Sequence, residues 1–542
     1  MRLVWRPGLR RGLLPQPSDA EIGSPAATAH GAAGPGRGVR SDLAGPLPRS
    51  AAVRRRGSDG GAAALPDAGS GRWQVAGRVS RAGVPAGGAR PGHAADRVAG
   101  VEVGRGVRHN CRGAQGVSAI GRVVGRQVWD SRGRPTIEVE ITLVSGARGR
   151  AIAPSGASTG SREALDKRDG GKRLGGYGVN LALAAVNGEI AAALAGRNAN
   201  DQAEIDAALI ALDGAAQKSR LGGNAIVATS SAVAWAAAAD SGIPLWRHLR
   251  GLAGLAPDAP HIPAPMIQIF GGGRHAGNRI DIQDYLVLAL GARSFAEATE
   301  WIAEVYIAAA RGMAQRGGPG GVADEGGIWP DFTTNEQGLD LLTRAIVAAG
   351  FRPGTDIGIA LDVAASSFAV PGGYRLALEG RTLSSLEMIE MLERWVASYP
   401  IVSLEDPLGE DDDAGFVEIT RRLGKSTQVI GDDYLTTSAD RIAMANEIGA
   451  CNSVLLKSNQ CGTLSELIAA SNRARALGWN TIQSGRSGES EDVTLSHLAV
   501  GLQSDQIKVG SMTRSERTAK WNEVMRIESE QPDGAFWTFR VP

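Results

Sequence analysis

Four apolar runs decide the fold: IGIALD (357–362), IVSLED (401–406), TQVIGDD (427–433) and SVLLK (453–457). Each closes on charge: Asp362, Glu405 with Asp406, Asp432 with Asp433, and Lys457. Two further runs, TIQSGRS (481–487) and IKVGS (507–511), bring Arg486, Ser487 and Lys508. After a longer first step the spacing is roughly 25 residues, enough for one strand, one helix and two short loops. Strand–helix units at that period predict a parallel barrel, whose chemistry sits at the C-terminal strand ends. Three carboxylates and two lysines then share one mouth. That set reads as a divalent-metal site with a lysine base beside it.

Upstream of the barrel, periodicity begins at residue 118. Ile137, Val139 and Ile141 alternate with Glu138, Glu140 and Thr142, the pattern of a half-buried antiparallel strand. SRGRP (131–135) supplies the turn before it. APSGASTGSREA (153–164) is a small-residue loop suited to closing over an anion or offering oxygen to a metal. Alanine-rich helical patterns fill 180–250, and a proline-rich stretch at 257–265 marks a boundary. These features predict an α+β cap domain over 117–255 and a barrel domain over 256–542. Within the latter, a glycine loop after a strand offers His275, followed by Gln283 and Asp284. Glu325 stands between Asp324 and two glycines, which permit close backbone approach to a ligand.

Composition separates the first 116 residues from the rest. Residues 1–117 hold 18 Arg, no Lys and 7 acids, a surplus of +11, so the remainder carries −10 of the net +1. Rich in Gly, Ala, Arg and Pro without periodicity, 1–116 reads as disordered, unable to offset its ordering entropy by burial. A transit peptide and a nucleic-acid-binding tail are competing readings. The favoured one is upstream sequence translated through a misplaced start, with the protein beginning near Val117. No uncharged run of 18 apolar residues occurs, so no membrane span and no membrane partner are expected. Three cysteines without metal spacing favour a reducing, cytoplasmic setting.

Nine motifs, in order, resemble the enolase family, the 2-phosphoglycerate dehydratases. They are PSGASTGSREA, DIQDY, ADEGG, LDVAAS, SLEDPL, GDDYLTT, LLKSNQ, GRSGE and QIKVGS, within a likeness running from about 117 to 527. The resemblance implies an enolase-type modified (β/α)8 barrel behind an N-terminal α+β domain. It implies two Mg2+ per site, with Asp362, Glu405 and Asp432 on the first and Ser158 helping to bind the second. It makes Lys457 the general base and Glu325 the general acid. Gln283, Asp284, Arg486, Ser487 and Lys508 would surround the substrate, and His275 would sit in a loop that closes on it. A homodimer or higher oligomer is implied, and no nucleic-acid partner.

The implied chemistry accounts for these residue types. Removing a proton beside an ionised carboxylate creates a second negative charge, which divalent cations on the carboxylate oxygens stabilise. The lysine base must be neutral, a form favoured by neighbouring cations. Glu325 must be protonated to help hydroxide leave.

Three positions depart from the family motifs. The family's SHRSGE is Ser484-Gly485-Arg486-Ser487-Gly488-Glu489 here, placing Gly485 where a histidine is expected. The family's QE is Gln283-Asp284, one methylene shorter. Its NGG is Gly271-Gly272-Gly273, followed by Arg274. These changes raise an alternative: a paralogue acting on a phospho- or phosphono-carboxylate, such as a carboxyphosphonoenolpyruvate synthase. A non-catalytic binding protein is the third reading, opposed by the retained metal-ligand and lysine positions.

Overall fold

The structure, a computed structural model, describes residues 118–541 except 158, 259, 319, 532 and 533. The segment 1–116, Val117 and the expected ligand Ser158 lie outside the described residues.

The chain opens with three antiparallel strands, Ile120–Trp129, Pro135–Leu143 and Arg148–Ile152, in sequential order. Asp130 sets the first hairpin, because its Oδ1 accepts from the amides of Arg132 and Arg134 at 2.9 and 2.8 Å. Ile137, Val139 and Ile141 are buried as the alternation requires. They face the 18-residue helix Gly223–Asp240, which is apolar on nearly every side. Gly149 allows the sheet to meet that helix backbone to backbone. A Cβ there would lie 2.1 Å from the Ala236 amide nitrogen.

Eight strands then close a barrel: Ala264–Gly271, Asp284–Ala289, Ile357–Asp362, Ile401–Glu405, Gln428–Gly431, Ser453–Leu456, Asn480–Ser484 and Gln506–Ser511. Helices cover the outside, and several begin on a side-chain cap. Ser384, for example, accepts from the Glu387 amide and completes a reciprocal capping box with the Glu387 carboxylate. Inside, Met266, Leu286, Leu288, Ile430, Leu455 and Ile482 pack together, with Trp537 in the same cluster.

The barrel is not wholly parallel, which corrects the expectation from the 25-residue period. The second strand runs antiparallel to both the first and the third. Its connection to the first strand is the 272–283 loop carrying His275, with no crossover α-helix. Without a helix to return the chain to the far end of the barrel, the second strand starts where the first ended and runs antiparallel to it. The reversal brings the start of the second strand to the mouth, so Asp284 pairs with Asp362 in register. Lys508 also differs from expectation. It lies inside the eighth strand rather than beyond its end, level with Ser484 of the seventh. Among the described residues no single helix is long and apolar enough to cross a membrane.

Candidate active site

Asp362 and Glu405 are the last residues of the third and fourth strands, and Asp432 follows the fifth. All three carboxylates are buried. Lys508 Nζ donates to Asp362 Oδ2 and Glu405 Oε2, both at 2.7 Å, and lies 3.6 Å from Asp284 Oδ2. Lys457, following the sixth strand, pairs with Asp432 Oδ2. Gln283 Nε2 reaches Asp362 Oδ2 at 3.0 Å, and Gln460 Nε2 reaches Asp432 Oδ1 at 2.8 Å. Two lysines thus offset the charge of the three acids, while Glu405 Oε1 is buried with no hydrogen-bond partner. A buried, all-oxygen donor set with an unsatisfied carboxylate oxygen fits a hard divalent cation.

Electrostatics follow from this crowding. Burial and the neighbouring Asp362 push the Glu405 carboxyl well above the ordinary range. Asp432 is also penalised by burial, yet Lys457 and Arg486 bring it below its ordinary value. For Lys457, burial acts downward, but Asp432 carries the net shift upward. Arg486 and Lys508 oppose that rise. Lys457 is therefore held charged chiefly by Asp432, with Glu405 adding to that pull, and the two cations beside it do not reverse the rise.

Across the cavity stand His275, Glu325 and Asp284. His275 Nδ1 lies 3.3 Å from Asp284 Oδ1, and its Nε2 lies 3.9 Å from Glu325 Oε1. Burial lowers the imidazole pKa, but Glu325 and Asp284 outweigh it and bring it to about 9. Arg486 is 3% exposed at its side chain and pairs with the equally buried Glu163 at 2.9 Å. Arg132, in the first hairpin, donates to Ser487 Oγ at 3.1 Å and to the Ser155 carbonyl at 2.8 Å. The small-residue loop and the α+β domain therefore both contribute to the site.

His275, Gln283, Asp284, Glu325, Asp362, Lys457, Arg486, Ser487 and Lys508 line one cavity, together with Gly485 and the 156–157 loop. Glu405 and Asp432 are reached through the lysines that bind them. Gly485 leaves less room than its missing side chain suggests: a Cβ there would meet Glu489 Oε1 at 3.2 Å and Leu495 at 3.4 Å. Glu489 is itself held by the Arg486 amide at 2.9 Å and by Lys520 at 3.1 Å.

Comparison with known proteins places the two domains in one family. Residues 259–540 match the enolase C-terminal TIM barrel domain, and 120–249 match the enolase N-terminal domain. The chain belongs to the enolase family. It is 49% identical to Enolase 1 of Desulfitobacterium hafniense (strain Y51) over 412 residues, covering 76% of this chain and 93% of the relative. It is 46% identical to Enolase of Acidothermus cellulolyticus (strain ATCC 43068 / DSM 8971 / 11B) over 419 residues, covering 77% and 95%.

Several residues of this enolase-family site escaped the sequence reading. Glu163 and Gln460 lie within recognised motifs but carried no assigned role. Gln268 is a lone amide in an apolar strand, a polar signal that stands out only once the strand is seen to be buried on both faces. Asp406 sits beside Glu405 yet serves the backbone. Its oxygens accept from the Asp432 and Asp433 amides, both at 2.8 Å, and it adopts a positive φ of 38°. Asp406, Asp432 and Asp433 also bring carboxylate oxygens within 4.8 Å of one another. Because both Asp406 oxygens are engaged by amides, we read Asp406 as fixing Asp432 rather than as a ligand.

Proposed function

We propose that this chain dehydrates 2-phospho-D-glycerate to phosphoenolpyruvate and water. The observation that carries the reading is the convergence of Lys457 and Glu325 on one cavity floored by acids and flanked by Arg486 and Lys508. Family membership and extensive identity to relatives named enolase support it.

Lys457 Nζ, as a neutral amine, takes the proton from C2. The electron pair left behind forms the C2–C3 double bond as the C3–O bond breaks. Glu325 supplies the proton that lets the hydroxyl leave as water. Arg486, Ser487 and Lys508 hold the phosphate and carboxylate, and Gln283 keeps Asp362 oriented. His275 positions the loop over the substrate, paired with Asp284 at 3.3 Å. Asp362, Glu405 and Asp432 would hold Mg2+, which when bound supplies positive charge to the substrate carboxylate. The same residues need Asp432 neutralised before Lys457 can lose its proton, because Asp432 raises the lysine pKa. Two Mg2+, a homo-oligomer of at least two subunits and a cytoplasmic location complete the reading. The last is supported by Cys451 and Cys461 being free thiols.

The test is a Mg2+-dependent assay of the full chain with 2-phosphoglycerate, following the conjugated enol in the ultraviolet. Turnover of roughly ten per second or more is expected, lost on chelation and restored by Mg2+. Turnover lower by several powers of ten with metal bound would overturn the reading and direct the search to phosphonate analogues.

A further inference from the structure

Gln268, on the first barrel strand, is fully buried behind the cavity wall, beside Asp284. Its Nε2 donates to Asp284 Oδ1, and its Oε1 accepts from the Gly327 amide at 2.8 Å. An amide is the side-chain group that can donate to a carboxylate with one end and accept from a backbone N–H with the other. The first of these partners, Asp284, lines the cavity described above. Asp284 Oδ1 is also the oxygen nearest His275 Nδ1, at 3.3 Å. Gly327 lies two residues after Glu325, whose carbonyl is anchored by the Ser511 amide at 2.9 Å. The Gly327 backbone is pressed so closely onto Gln268 that a Cβ there would lie 2.3 Å from Oε1. One side chain therefore ties the His275–Asp284 pair to the loop that carries Glu325.

The length of Gln268 matters because Asp284 is short. Where the motif the chain resembles has a glutamate, this chain has an aspartate, and the neighbouring amide reaches across to meet it. The second carboxylate oxygen, Asp284 Oδ2, is buried without a hydrogen-bond partner and is 3.6 Å from Lys508. Gln268 is thus the close neutral contact that fixes the Asp284 carboxylate. We infer that Gln268 is a positioning residue whose reach compensates for the shortened Asp284 and sets the separation between His275 and Glu325. The inference rests on the dehydratase reading, since it takes Glu325 as the acid.

The test is a cycle of four full-length proteins: wild type, Gln268→Asn, Asp284→Glu, and the double variant. A misplacement of about 1 Å can cost roughly 10²-fold in rate. Each single variant is therefore expected to lose at least tenfold in kcat with KM within about threefold. In the double variant one methylene is moved from position 268 to 284, so it is expected to regain most of the loss. Unchanged kcat in Gln268→Asn, or losses in the double variant that simply add, would overturn the inference. A merely structural amide would lower the melting temperature and leave that rescue absent. Failure of the function itself is read separately, as negligible 2-phosphoglycerate turnover by the wild type. In that case the pair is judged by the imidazole proton resonances of His275. Their titration is expected to shift in Gln268→Asn and return in the double variant, and an identical titration in all four proteins would overturn the inference.

Discussion

The two sides of the cavity are built differently. On one side Asp362, Glu405, Lys457 and Lys508 lie on the third, fourth and eighth barrel strands or directly after the sixth, and their positions are set by sheet register. On the other, His275 and Glu325 sit in loops, and side chains from elsewhere hold those loops in place. The three departures from the family motifs fall at the end of the first strand, at the start of the reversed second strand and just after the seventh, at Gly271, Asp284 and Gly485. The strand-end acids and lysines are unaltered. Backbone pairing fixes the first group at little cost in sequence. The second group depends on individual side-chain lengths, so a change at one position is met by reach at another.

The contrast is broken most severely if the strand side proves dispensable. Lys457→Ala is expected to lower kcat about 10²–10⁴-fold, the usual contribution of a positioned acid or base. Steady-state turnover of 2-phosphoglycerate measures it, and retained activity would remove the base from the register-fixed side.

Next in size is a buried ion pair between the α+β domain and the barrel. Glu163 and Arg486 are each 3% exposed at the side chain, and removing one partner of such a pair costs about 3–5 kcal/mol. Urea unfolding of Glu163→Ala should show that loss. A change below about 1 kcal/mol would place the pair with exposed ion pairs instead.

On the loop side, His275 gives a pH signature. Its folded pKa lies near 9, above the ordinary imidazole value of 6.5. The stability it contributes is therefore fully present below about pH 6.5 and lost as pH rises through about 9. Melting temperatures of wild type and His275→Gln, compared in chelator from pH 6 to about 10, should converge toward the alkaline end. A constant gap would show that His275 is not held protonated by Asp284 and Glu325.

The smallest expected effect sharpens the comparison at Gly485. Gly485→His should raise kcat/KM by less than about tenfold, because the imidazole gains Glu489 as a partner only if that carboxylate yields from its 3.2 Å contact with the new Cβ. A fall in kcat/KM would show that Glu489 and Leu495 already occupy the position functionally.

Much of the site was legible beforehand. The apolar runs ending in charge located Asp362, Glu405, Asp432 and Lys457, because strand period and strand ends are local properties of the chain. His275, Gln283, Asp284 and Glu325 were legible from glycine context and motif order. Glu163, Gln268, Gln460 and Arg132 were not, since each matters through a partner distant along the chain or on another strand. For Glu163 and Arg486 that distance is 323 residues.

By itself the sequence determined that a barrel with a charged mouth forms behind a small α+β domain, since alternation and spacing dictate which backbone segments become strands and which become helices. Only the tertiary structure decided that the second strand runs backward, that Asp284 faces Asp362, and that one glutamine amide joins Asp284 to the Gly327 backbone. Strand direction depends on whether a helix returns the chain across the barrel and on which neighbours close the sheet, and side-chain reach depends on where those neighbours stand. Neither is encoded in a local repeat, so both appear only when distant parts of the chain pack together.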